Sequence, residues 1–191
     1  MGFLDFLMDL FGSEHARSTS RLPSTLPRPT SPPQVDADPL FWGKRTPLSK
    51  RIITEQVFDV AEHVFTEGVD FDEQNAHWVV FPKYHLPYAW KGIARDTSLM
   101  IVFPTDYPVT PPIGFYMKGD IPIAPGGHFY REAYHNAAKS PLRQGWKWYC
   151  VYVNPGSWRP CSYRQPGDWK RGDNLYTYLT LIKESISNTS D

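Results

Sequence analysis

Four prolines fall in the nine residues from Pro104 to Pro112, between two runs of apolar and β-branched residues, Ser98 to Phe103 and Ile113 to Met117. Pro104, Pro108, Pro111 and Pro112 each lock φ and lack a backbone donor, so this segment cannot continue a helix or join a ladder on both sides. The chain has to leave one strand here and re-enter the next at a set angle. Tyr107, inside the run, supplies a ring that can pack beneath such a turn.

The rest of the chain is read outward from that turn. His77 to Val80 and Trp90 to Ala94 are further short segments rich in Val, Ile, Phe and Trp, and with the two runs above they form an antiparallel meander of four strands. Ahead of them, Thr46 can cap and Pro47 suits the first helical position. Ile53, Val57, Val60, Ala61 and Val64 then share one face of a helix of about 19 residues. At the other end Asp173 opens a helix whose buried face is Leu175, Tyr178, Leu179, Ile182 and Ile186. Gly119 to Lys147 shows no sustained period and reads as a long loop, of the kind that is usually functional. Helix, meander, loop and helix predict an α+β domain with helices packed on one antiparallel sheet.

Residues 1 to 12 read as one short amphipathic helix, and 13 to 39 as a linker rich in Pro, Ser and Thr that cannot bury enough apolar surface to order itself. The domain therefore occupies residues 40 to 191. At 191 residues and 41% apolar content the chain is long enough for one well-buried domain and short for two. Twenty basic residues balance twenty acidic ones, so no net field holds a nucleic acid or an anionic membrane. No stretch reaches the roughly 20 apolar residues that span a bilayer. Two cysteines, Cys150 and Cys161, without a secretory signal predict a reducing, cytoplasmic setting rather than a disulfide framework.

The string Phe103-Pro-Thr-Asp-Tyr-Pro-Val-Thr-Pro-Pro112 resembles the one that follows the third strand in ubiquitin-conjugating (E2) enzymes. His77-Trp78 and Pro87-Tyr88 are similar to pairs that the family carries at the second strand and just before the third. Cys150 precedes Trp158 by eight positions and Pro160 by ten, which resembles the surroundings of the family's active-site cysteine. The resemblance covers residues 46 to 186. It implies a UBC-like fold and a thioester carrier: Cys150 would accept the C-terminus of a ubiquitin-like protein from an activating (E1) enzyme and yield it to a lysine amine of a protein substrate. It implies no bound cofactor, since ATP is consumed by the E1.

Two departures qualify the resemblance. The family's His-Pro-Asn is represented only by Tyr134-His135-Asn136, fourteen residues before Cys150, so Asn136 and His135 are candidates for oxyanion or loop support. Family members usually carry two further helices after the last one here. The resemblance is therefore to truncated bacterial E2-like proteins, which implies a setting in phage defence. Three functions stay open: the conjugating enzyme, an E2-like module that binds a ubiquitin-like protein without a thioester, and a Cys-His hydrolase with His135 or His128 as base. Cys161 lacks the flanking pattern of Cys150. The tryptophans around Cys150 are core anchors by default, and Lys170-Arg171 reads as a solvated loop.

Overall fold

The computed structural model describes residues 44–86, 96–118, 146–151, 153–154, 156–161 and 167–187. Helix α1 (Pro47–His63) begins as the sequence predicts, with Thr46 Oγ1 accepting from the Ser49 amide at 3.1 Å and Pro47 in the first turn. Strands β1 (Asp70–Phe71), β2 (Trp78–His85), β3 (Asp96–Val102), β4 (Gly114–Lys118) and β5 (Trp146–Cys150) follow. A 3₁₀ turn (Asp168–Lys170) then leads to helix α2 (Leu175–Ser187). Every strand pairs antiparallel with its neighbour in chain order, β1-β2-β3-β4-β5. The architecture is α+β with helices near both ends of the described domain.

The expected four-strand count is corrected to five among the described residues. The two-residue β1 is too short to show periodicity. The predicted loop from Gly119 runs into β5, because Trp146, Lys147, Trp148, Tyr149 and Cys150 pair residue by residue with Lys118 back to Gly114. Tyr149 there stacks on Phe115 with ring centroids 5.4 Å apart. The strand predicted at Trp90 to Ala94, the amphipathic helix at 1 to 12 and the linker at 13 to 39 lie outside the described residues.

Both faces of the sheet are apolar, which explains why β3 reads as a continuous hydrophobic run rather than an alternation. Val79, Phe81, Leu99, Ile101, Phe115, Met117 and Tyr149 share one core with residues of both helices. Trp78, Val80, Met100, Val102 and Trp146 form a second buried cluster, against which Tyr116 packs. Pro82 and Lys83 sit exposed in an irregularity of the β2–β3 register, where proline's missing donor can be tolerated. All five residues predicted for the buried face of α2 are fully buried. For its Leu and Ile side chains, burial contributes roughly 1.5–3 kcal/mol each. The predicted cap is corrected: Asn174 Oδ1 accepts from the Tyr176 amide at 2.9 Å, while Asp173 accepts instead from the Arg159 amide at 2.6 Å. No described helix is long and apolar enough to cross a membrane.

The proline turn is held from beneath and from the side. Tyr107 is fully buried, lies edge-on to Phe103 at 5.0 Å and donates its hydroxyl to Gln56 Oε1 at 2.6 Å. Gln56 Oε1 also accepts from the Leu175 amide at 3.0 Å, so one side chain joins α1, the turn and the start of α2. From the side, Arg45 reaches the carbonyls of Phe103, Pro104 and Thr105 at 2.9, 2.6 and 3.3 Å.

Candidate functional site

Cys150 is the last residue of β5, half-buried, and its thiol donates to the Ile113 carbonyl at 3.6 Å. Its partner across the ladder is Gly114. The next amide, of Val151, also bonds the Ile113 carbonyl, at 3.3 Å. The cysteine is thus anchored against the residue that leaves the proline turn. Burial pushes its thiol above the ordinary value, so the sulfur is largely protonated at neutral pH.

The chain after the cysteine returns to the same turn. Trp158 is buried and its indole Nε1 donates to the Pro108 carbonyl at 2.9 Å. Pro160, two residues on, bridges to Asp173. The structure therefore sets Cys150 and Trp158 against one segment, the proline-rich run and its exit at Ile113, which the sequence shows only as separate strings. Trp78 anchors the second apolar cluster, and His77, just before β2, lies 3.5 Å from the Asp72 carboxylate.

Cys161 occupies a different environment. It is 1% exposed and its sulfur accepts from Gln56 Nε2 at 3.6 Å. Burial, partly offset by that bond, pushes its thiol up to about 11. Of the tryptophans near the cysteine, Trp146, Trp158 and Trp169 are core anchors as expected, whereas Trp148 is half-buried. Lys170 and Arg171 are exposed, as expected of a solvated segment, and the Lys170 ammonium pairs with Asp59 Oδ1 at 3.0 Å and lies 5.2 Å from the Trp169 ring centre. Asn136, His135 and His128 lie outside the described residues, as do Pro87 and Tyr88.

Three residues with a part in the packing escape the sequence reading. Gln56 stands at a core position of α1 among Ile53, Val57 and Val60, and a polar residue in that register was the available signal. Tyr178 was recognised as apolar core but not as a buried hydroxyl without a hydrogen-bond partner among the described residues. Gly114 matters because it has no side chain: an added Cβ would stand 2.5 Å from both Trp148 Cε2 and the Tyr149 carbonyl oxygen. Backbone at that distance cannot yield without moving β5. Gly114→Ala is expected to cost about 2 kcal/mol by overpacking. For a domain of this size that lowers the melting midpoint by about 4–8 °C in calorimetry.

Among the described residues no three His, Cys, Asp or Glu side chains converge in a way that could hold a metal ion. Comparison of the chain with protein-family models, curated proteins and solved structures finds no match.

Proposed function

We propose that the chain is a UBC-like carrier of the E2 type, which takes a ubiquitin-like protein from an E1 as a thioester on Cys150 and passes it to a lysine amine. The observation that carries this reading is that Trp158 bonds the Pro108 carbonyl within the proline turn while Cys150 bonds the Ile113 carbonyl at its exit. The contrast between the two thiols supports it: Cys150 is half-buried at a strand end, while Cys161 is enclosed.

The chemistry needs no metal. The Cys150 proton passes to solvent base, the thiolate attacks the E1 thioester carbonyl, and the E1 thiolate leaves. In the second half a lysine amine attacks, a C–N bond forms and the Cys150 thiolate departs. A thiol with a raised value is ionised less often but is the stronger nucleophile once ionised, so positioning carries most of the burden. Asn136 and His135 are the candidates for stabilising the tetrahedral oxyanion.

Incubation with an E1, its ubiquitin-like protein and ATP tests the reading. The wild type should form an adduct cleaved by reducing thiol. Cys150→Ser should form either a thiol-resistant ester or none. A thiol-labile adduct that survives in Cys150→Ser and disappears in Cys161→Ser refutes the assignment.

A further inference from the structure

Strand β5 turns Trp146, Trp148 and Cys150 to one face of the sheet and Tyr149 to the other. The burial pattern identifies the two faces, since Trp146 lies in the second apolar cluster and Tyr149 in the core shared with the helices. The Cys150 side chain therefore stands on the face away from the helices, with Trp148 as its neighbour along the strand. Across the ladder Trp148 faces Tyr116, and Cys150 faces Gly114. The Val151 amide bonds the Ile113 carbonyl, so Gly114 and Cys150 form the close, non-hydrogen-bonded kind of pair, in which facing Cβ atoms stand about 4.5–5.5 Å apart.

Gly114 has no Cβ, and the Trp148 indole takes up that space. The nearest atom to a Cβ built on Gly114 would be Trp148 Nε1, followed by Cε2 at 2.5 Å. The pyrrole edge of the ring thus reaches past its own cross-strand partner and lies over the residue that faces Cys150. Trp146, on the same face, is a buried anchor, whereas Trp148 and Cys150 are both half-buried, so solvent reaches ring and sulfur alike. A group attached to the sulfur has the indole at its flank and bare glycine backbone beneath. We propose that Trp148 is a specificity-determining residue, its indole the flat apolar flank on which the amide plane nearest a Cys150 thioester rests. This rests on Cys150 being the working thiol, and its test is independent of any E1.

The test compares two reagents at the same sulfur, iodoacetamide and N-phenyliodoacetamide, by peptide-resolved mass spectrometry of the full chain in wild type, Trp148→Phe and Trp148→Ala. Each reagent forms the S–C bond and expels iodide, and they differ in the flat ring that one of them carries. Taking the ratio of their rates cancels the ionised fraction of the thiol and leaves the effect of what lies beside it. No carrier protein is involved, so the outcome is separable from any failure of E1-dependent charging. The phenyl-to-parent ratio at Cys150 is expected to fall about threefold or more in Trp148→Ala, the size of one aromatic pair contact, and to be kept in part in Trp148→Phe. Trp148→Leu, apolar but not flat, is run alongside in case Trp148→Ala fails to fold, and the same fall is expected of it. An unchanged ratio overturns the proposal. A raised ratio overturns it too, because the indole would then obstruct the sulfur rather than seat what it holds.

Discussion

Arg45→Met is expected to destabilise the domain by about 3 kcal/mol, seen as a fall of about 6–12 °C in the melting midpoint. The guanidinium donates to three successive carbonyls, of Phe103, Pro104 and Thr105, and to Ser49 Oγ at 3.1 Å. The proline run leaves this turn short of donors while keeping all its acceptors, so the fork supplies what the backbone lacks. Burial pulls the guanidinium down to about 10, against the attraction of Asp72 and Asp106, and the group is still charged at neutral pH. Removing it takes a charged donor from three part-buried carbonyls, of which that of Pro104 keeps the Tyr107 amide at 3.1 Å, and bonds to a charged donor are worth more than neutral ones. Arg45→Lys should recover part of the loss, because an ammonium offers one donor centre where the fork offers two. Equal melting of Arg45→Met and wild type would show that solvent serves those carbonyls equally well.

The second large effect separates the two thiols. At pH 8 iodoacetamide is expected to modify Cys150 about a hundredfold faster than Cys161, or more, in the native protein. Both are raised by burial, but Cys150 is half-buried whereas Cys161 is enclosed and pushed up to about 11. Roughly one Cys161 thiol in a thousand would be ionised at that pH, and reagent reaches it only through local opening. For both groups the reactive form is the thiolate, so the rate climbs with pH up to each thiol's own midpoint. For Cys150 that climb extends past the ordinary thiol range. Peptide mass spectrometry over a pH series checks the ratio, and comparable rates at the two sites would contradict the burial pattern.

Much of this domain was legible in the sequence where local physics decides. The proline turn, the cap at Thr46 and the buried faces of both helices depend on spacing and on φ, and the sequence shows both. Strand β5 was hidden because Trp146, Trp148 and Tyr149 put aromatic rings on both of its faces, so Trp146 to Cys150 has no clean polar and apolar alternation to betray a strand. The α2 cap was assigned one residue early because Asp173 and Asn174 are equally good caps, and only a partner fourteen residues away, the Arg159 amide, claims the first. Arg45 stands beside Lys44 just ahead of a helix, with nothing local to mark its role. Its targets lie 58 to 60 residues downstream, beyond any local pattern. Of the candidate site, Cys150 and Trp158 were readable, but their bonds to Ile113 and Pro108 were not.

Intact-mass spectrometry after incubation with an E1, its ubiquitin-like protein and ATP tests the carrier role of Cys150 most directly, with Cys150→Ala and Cys161→Ser alongside the wild type. The expected result is a gain of one carrier mass on wild type and on Cys161→Ser, lost on treatment with reducing thiol, and no gain on Cys150→Ala. A wild type that stays uncharged while the same E1 is visibly loaded with the carrier would contradict the account.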